Sequence, residues 1–182
     1  MKPQLHTHLQ STKAPWISLV VTEPGRRPES TIKLPAGFHL VLLRGSKCKT
    51  VSALLAEFAK AFDFPEYFGH NWDALEECLT DLEWLPAKGY VVLLSDAELV
   101  LTKAEADEWA TLVEVLNDAG EAWGTGQAGL GTRRATPFHM LCAVTPAQKS
   151  AWSHRGIVEL STERTGKPTA KRPAPASKPS RR

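Results

Sequence analysis

The chain carries the stretch FPEYFGHNWDALEECLTDL at residues 64–82, which is typical of a tight loop followed by a short helix. Asn71 is a favourable N-cap, because its side-chain oxygen can accept a hydrogen bond from a backbone N–H of the first helical turn. At about 100° per residue, one side of this helix is apolar. That side holds Leu75, Cys78, Leu79 and Leu82. The opposite side holds only acidic side chains, namely Asp73, Glu76, Glu77 and Asp81.

No Lys or Arg lies between residues 64 and 82, so the stretch contains no counter-ion for the acidic side of the helix. Asp73/Glu77 and Glu77/Asp81 are like-charge pairs four residues apart, and each destabilises a helix by about 0.2–0.5 kcal/mol. The helix dipole favours Asp73 but not Asp81, which lies near the other end. Two interpretations follow: a solvated acidic face, or repulsion that is retained for a cationic partner.

The same stretch resembles a known protein family. The segment Pro65-Glu-Tyr-Phe-Gly-x-Asn-x-Asp-Ala-Leu-x-Glu-Cys-Leu79 is similar to the loop and second helix of the barstar family, the intracellular inhibitors of barnase-type ribonucleases. Its core is long and ungapped, and a coarser similarity extends from about Phe38 to Val144. The resemblance implies an α/β fold with a three-stranded parallel sheet packed with helices. It also implies a small basic ribonuclease as the partner, blocked at its cationic active site by the acidic helix and the preceding loop.

The resemblance assigns roles to particular residues. Tyr67 matches the loop tyrosine that packs on the enzyme, and Asp73 matches an interface aspartate. Glu77 stands where the family has the aspartate that enters the active site, and Asp118 aligns with a peripheral glutamate. Glu76 and Leu82 replace two contacting tryptophans, which implies a partner with a reshaped or more cationic rim. The expected partner-binding residues are Tyr67, Gly69, His70, Asn71, Asp73, Glu76, Glu77, Thr80, Asp81 and Asp118.

The charge of the chain is divided unevenly, although its formal net charge is only +2. Residues 1–37 carry +3, residues 38–145 carry −8 and residues 146–182 carry +7. We therefore expect an acidic barstar-like domain at 38–145 between an N-terminal extension and a basic tail. Three widely spaced cysteines favour reduced thiols in a cytoplasmic protein, and the chain has neither a signal-peptide pattern nor an apolar run long enough for a membrane span.

Hydrophobic patterning predicts the secondary structure of the domain. The apolar runs 38–43, 90–94 and 138–144 indicate buried strands, and residues 52–62 indicate a helix. A further helix is expected from about Trp109 until Gly120 stops it. In the extension, residues 1–14 are expected to be mobile, and 16–21 with 31–34 to form a hairpin at the sheet edge. The tail at 146–182 is expected to be largely disordered, above all after Ser161, with weak packing of Trp152, Ile157, Val158 and Leu160 on the domain.

No persuasive catalytic set is present, so no enzymatic activity and no cofactor are expected. Gly124, Gly126 and Gly129 match G-x-G-x-x-G, but a nucleotide-binding loop needs a strand before it and a helix after it, which is the reverse of the order here. His6 and His8 lack a further metal ligand nearby. Two alternatives to ribonuclease inhibition stay open: immunity against a non-ribonuclease toxin, and nucleic-acid binding through the basic tail.

Overall fold

Five parallel strands form one sheet in the computed structural model, which describes residues 3–127, 133–153, 155 and 157–162. In chain order the strands are β1 (Ile17–Val21), β2 (Phe38–Arg44), β3 (Gly89–Ser95), β4 (Phe138–Val144) and β5 (Val158–Leu160). Their order across the sheet is β2-β3-β4-β1-β5. The inner strands are predominantly apolar because helices or loops cover both of their faces.

Helices cover the two faces of the sheet unequally. They are α1 (Leu5–Leu9), α2 (Val51–Phe62), α3 (Trp72–Asp81), α4 (Glu108–Thr125) and α5 (Lys149–Ser153). The larger core lies on the face that packs against α2, α3 and α4, and includes Phe58, Leu79 and Leu116. The smaller core lies on the other face, where Leu5 and Leu9 of α1 are buried. None of the described helices is long and apolar enough to cross a membrane.

The prediction of a three-stranded sheet is wrong, because both ends of the chain contribute strands. β1 pairs in parallel with β4, with Leu19 opposite Cys142, and β5 pairs with β1 on its other side. The first four residues of β1 are buried, so its apolar side chains complete the core. The strands at 38–43, 90–94 and 138–144 are present as expected and occupy one half of the sheet.

The predicted N-terminal hairpin is also absent. After β1, the chain crosses to the far edge of the sheet, and residues Pro28–Thr31 form a 3₁₀ turn. Ile32 and Leu34, expected in a second strand, pack instead onto the smaller core. Residues 5–9, expected to be mobile, form α1. Parallel pairing with β4 satisfies the β1 backbone without a hairpin partner.

The first part of the tail packs on the domain, as expected for Trp152 and Leu160, and more closely than the sequence suggests. Trp152 and Leu160 are each only 2% exposed, and Leu160 lies in β5. The Arg155 guanidinium lies 4.6 Å from the Trp109 ring and 4.7 Å from the Trp152 ring, which attaches this segment to α4. The remainder of the predicted disorder, residues 163–182, lies outside the described residues.

Gly120 does not stop a helix, contrary to expectation. α4 continues to Thr125 and ends at Gly126, which has the left-handed φ of 78° typical of a helix end. A Cβ atom at Gly120 would lie 2.4 Å from Cγ of Trp16, immediately before β1. Gly120 is therefore required by the close contact between α4 and Trp16, and this tertiary constraint has no local sequence signal.

Candidate functional site

The acidic helix predicted from the sequence is α3, and its ends are well defined. Asn71 is the N-cap as predicted, and its side-chain oxygen accepts a hydrogen bond of 2.8 Å from the Ala74 N–H. The helix ends at Leu82, which adopts a left-handed φ of 45°. The predicted apolar side is buried: Leu75, Cys78, Leu79 and Leu82 are each at most 2% exposed. Leu82 therefore cannot contact a partner.

α3 lies beside α4 and runs in the same direction. Near their starts, the Trp72 indole N–H donates to Glu108 Oε2 at 2.9 Å. Near their ends, the Trp123 indole N–H donates to the Leu79 carbonyl at 2.7 Å. The exposed sides of the two helices consequently form one continuous surface.

Five carboxylates from the two helices make up what we call the acidic surface. They are Asp73, Glu76 and Glu77 of α3 and Glu114 and Asp118 of α4. Among the described residues, none of the five forms an ion pair with Lys, Arg or His. The pKa of Glu76 is raised, first by its partial burial and then by the negative charges of Asp118, Asp73 and Glu114. The surface is therefore an accumulation of like charge without an internal counter-ion.

Asp81, predicted to share this role, is in a different situation. Arg133 donates one hydrogen bond of 2.6 Å to the Asp81 carbonyl and another of 3.2 Å to its carboxylate. The same guanidinium contacts Glu83 at 2.9 Å and lies 5.3 Å from the centre of the Trp123 ring. Arg133 thus supplies a counter-ion that Asp81 shares with Glu83, and it satisfies a carbonyl at the end of α3. Sequence reasoning missed this contact because 52 residues separate the two partners.

The loop before α3 presents an aromatic side chain next to the carboxylates. Tyr67 is 68% exposed. The pKa of its phenol is raised by slight desolvation, then by Cys78 and by the carboxylates of Asp81 and Glu77. An exposed tyrosine with an apolar body and a polar tip is suited to an interface.

His70 and Gly69 complete the exposed part of this loop. His70 has a left-handed φ of 52°, which is strained for a residue with a side chain, and its ring lies 4.7 Å from the Phe68 ring. Gly69 is exposed immediately before it. Thr80, by contrast, directs its hydroxyl hydrogen to the carbonyls of Glu76 and Glu77 in its own helix, which leaves only its oxygen to accept a bond from a partner.

A second cluster of titratable side chains lies on the other face of the sheet, and we call it the histidine cluster. His8 Nε2 and Ser18 Oγ are 3.2 Å apart, and the His8 and His139 rings are 4.6 Å apart. His139 Nε2 lies 2.8 Å from the Ser11 carbonyl, so this nitrogen carries the hydrogen in the neutral ring, while Nδ1 has no partner. Burial, and to a smaller extent the charge of His8, lower the pKa of His139 to about 4. Both histidines are therefore neutral and structural.

The described residues include no activated cysteine and no metal centre. Burial raises the pKa of the Cys48 and Cys142 thiols to about 12 and that of Cys78 to about 11, so the reactive thiolate is disfavoured at each. No three His, Cys, Asp or Glu side chains are grouped to hold a metal ion in this part of the chain. Gly124 and Gly126 lie at the end of α4, ahead of the amino end of β4. Nucleotides bind at the carboxyl ends of the strands of such sheets, so these glycines lie at the wrong end for a nucleotide-binding loop.

The family model of Barstar, described as barnase inhibitor, matches residues 38–143, which is more than half of the chain. The match includes α3, α4, Tyr67 and every carboxylate of the acidic surface. A comparison with curated proteins finds no match.

Solved structures of the ORC2 protein of Aeropyrum pernix have a similar fold. Its ADP form gives a TM-score of 0.52 at 11% identity and covers 83% of this chain and 43% of that chain. Its ADPNP–ADP complexes give a TM-score of 0.50 at 12% identity, with coverage of 85% and 43%. The chain thus spans less than half the length of these proteins, and the similarity concerns the fold alone. Because the match extends well beyond residues 38–143, it agrees with a sheet larger than three strands.

Proposed function

This chain belongs to the barstar family, and on that basis we propose that it inhibits a barnase-type ribonuclease by placing the acidic surface over the enzyme's cationic active site. The observation that carries the proposal is the acidic surface itself. Five neighbouring carboxylates have no cationic partner among the described residues, and the pKa of Glu76 is raised first by its partial burial and then by the negative charges of Asp118, Asp73 and Glu114. A cationic partner would relieve that repulsion.

The proposed inhibition requires no chemical step by the inhibitor. A ribonuclease active site is cationic because it holds the phosphate oxygens of RNA, and carboxylates of the acidic surface would occupy the same positions. The arginine, lysine and histidine side chains of the enzyme would bind them through charge-assisted hydrogen bonds, so RNA could not enter. The opposite charges of the two proteins would also accelerate their encounter, an effect for which barnase and barstar are themselves the reference example.

Individual residues would have distinct roles. Glu77 lies in the middle of the exposed side of α3, so a docked enzyme would desolvate it most completely. Asp73 and Asp118 would contact basic side chains on either side of it, and Tyr67 would pack against the enzyme from the loop. Asp81 would contribute less than the sequence suggests, because Arg133 already pairs with it. The absence of enzymatic activity is part of the same proposal.

The test is inhibition of RNA cleavage by a panel of barnase-type ribonucleases, with the full chain as the inhibitor. We expect at least one enzyme to be inhibited stoichiometrically, and the Asp73→Asn, Glu77→Gln double variant to weaken that inhibition at least a hundredfold. Asp63→Asn with Glu105→Gln removes the same charge from exposed positions outside the acidic surface and should have little effect.

The possible outcomes separate the function from the site. Inhibition of none of the enzymes would refute the proposed function, and immunity against a non-ribonuclease toxin would then be the alternative. Inhibition that survives in the double variant would refute the acidic surface as the binding site. Contact with nucleic acid through the basic tail stays a prediction, since residues 163–182 lie outside the described part of the chain.

A further inference from the structure

A groove with a volume of about 680 Å³ lies at the carboxyl ends of β2 and β3 and shares no residue with the acidic surface. Its walls come from the connection between β1 and β2 at Arg26 and Arg27, from the end of β2 at Leu42, and from α2 at Lys60. Open α/β sheets bind ligands in crevices at the carboxyl ends of their strands. Small-molecule sites typically occupy about 300–1,000 Å³. The groove therefore has both the position and the size of a ligand site.

The cationic side chains of this groove exceed the carboxylates available to them. Arg44 pairs with Glu57, with 3.5 Å between Nε and Oε1. Arg26, Arg27 and Lys60 have no carboxylate within ion-pair distance in the described part of the chain. All three are exposed, so their charges are solvated and can be offered to a ligand.

Two further carboxylates line the groove and do not cancel this excess. Asp96 accepts a hydrogen bond of 3.3 Å from the Ser46 hydroxyl, and Glu29 lies half-buried in the 3₁₀ turn. The groove thus contains four cationic side chains and three carboxylates, one of which Arg44 already holds. Two of the four cations come from the N-terminal segment, which carries +3, and two from the acidic domain at 38–145, so the groove has a net positive charge that favours an anionic ligand.

The floor of the groove is apolar. Leu42 is 46% exposed, which is unusual for a leucine in a strand, and it lies beside the buried Leu93 and the partly buried Ala61. None of the described residues that line the groove is aromatic, so a nucleobase would find no ring for stacking. An aliphatic chain would instead cover the exposed part of Leu42 and remove its apolar surface from water.

We propose that this groove binds a small amphipathic anion, namely a carboxylate or phosphate ester with an aliphatic chain. Its head group lies among Arg26, Arg27 and Lys60, and its chain lies on Leu42 and Leu93. Guanidinium groups bind both carboxylates and phosphates through paired hydrogen bonds, so the two head groups have the same recognition chemistry. The site is independent of ribonuclease inhibition, because it shares no residue with the acidic surface.

The test is calorimetric titration of the full chain with decanoate, decyl phosphate and decyl glucoside, each below its micelle concentration. We expect both anions to bind and the neutral glucoside to bind at least tenfold more weakly; the stronger of the two anions identifies the head group. Arg26→Gln with Arg27→Gln should weaken anion binding at least tenfold, and Leu42→Asn should weaken it through loss of chain contact.

Several results would overturn this inference. They are binding of none of the three compounds, equal binding of the glucoside, or unchanged anion affinity in the Arg26→Gln, Arg27→Gln variant. Glu77→Ala is the control, since it removes a charge from the acidic surface and should leave anion binding unchanged. Because Arg26, Arg27 and Leu42 are exposed, their variants should melt as the parent does, and a melting scan of each ligand-free variant checks this.

Discussion

The acidic surface and the histidine cluster are both groups of close titratable side chains, yet they lie on opposite faces of the sheet and differ in every electrostatic respect. The carboxylates of the acidic surface are exposed or partly exposed and have no described counter-ion, and the pKa of Glu76 is raised by its partial burial and then by the neighbouring negative charges. His8 and His139 are buried, and burial lowers the pKa of both, so they are neutral at pH 7.

The difference indicates which group is available for binding. Neutral histidines buried between α1, β1 and β4 contribute packing and cannot reach a partner. Charged groups at an exposed surface keep an unfavourable interaction that a partner of opposite charge can relieve. Such groups can be replaced with little cost to the fold, whereas the buried cluster cannot be charged without destabilising it. The following predictions test this distinction in descending order of effect.

Glu77→Ala should have the largest effect of these variants, and it should weaken binding to the ribonuclease without destabilising the fold. Loss of one partner from a desolvated charge pair costs about 2–5 kcal/mol, a range drawn in part from barnase and barstar themselves. The free energy of unfolding should hold or rise slightly, because the change removes a like-charge contact with Asp73 and introduces the best helix former. Inhibition constants and melting temperatures measure the two effects separately.

Asp81→Ala is the matched control for Glu77→Ala. It removes a carboxylate from the same side of the same helix, but one that Arg133 already holds. We expect a clearly smaller loss of inhibition and a lower melting temperature. If Glu77→Ala inhibits as well as the parent does, the acidic surface is merely solvated and the inhibitor mechanism is lost.

Acidification should destabilise the histidine cluster. The pKa of His139 is about 4 in the folded protein against an ordinary 6.5, so the unfolded chain binds the proton first as the pH falls. The neutral His139 contributes about 3 kcal/mol to the free energy of unfolding. This contribution is complete above pH 6.5 and is lost as the pH falls towards 4. His139→Gln can still donate to Ser11 but cannot take up a proton. Urea unfolding between about pH 7 and 4 should therefore show a shallower decline for the variant than for the parent; parallel curves would refute burial of a neutral His139.

Arg133→Met should convert Asp81 from a paired carboxylate into an additional member of the acidic surface. The loss of the hydrogen bonds to Asp81 and Glu83 should cost about 1–2 kcal/mol of unfolding free energy. Association with the ribonuclease should become a few-fold faster at low salt, because the net negative charge facing the enzyme increases. Stopped-flow association at two salt concentrations measures this. Slower association would instead show that Arg133 itself contacts the enzyme.

Glu76→Gln should have the smallest effect on stability. It should stabilise the fold by removing a charge, whereas adding a charge to the histidine cluster should destabilise it. Because the pKa of Glu76 is raised in the folded protein, its charged form is disfavoured there at pH 7. The neutral amide should therefore stabilise the fold by a few tenths of a kcal/mol at pH 7. That gain should disappear as the pH falls and Glu76 becomes protonated. Destabilisation at pH 7 would contradict the repulsion inferred for the acidic surface.

Local sequence is sufficient to predict α3, its cap and the separation of its apolar and acidic sides. These features depend on residues within a few positions of one another, so helical spacing alone specifies them. The match at residues 65–79 identifies the family for the same reason, since it is a continuous local pattern. Tyr67, Asp73 and Glu77 are exposed, and their contact with a partner stays a prediction.

Tertiary packing, by contrast, sets how large the sheet is and which carboxylates remain unpaired. β1 pairs with β4 across more than a hundred residues of chain, and the Thr22 backbone N–H donates to the Val144 carbonyl. Arg133 reaches Asp81 from 52 residues away. Glu114 and Asp118 join the acidic surface only because α4 packs beside α3. Such contacts leave no local periodicity in the sequence, since they depend on how separate elements pack rather than on the spacing within any one of them.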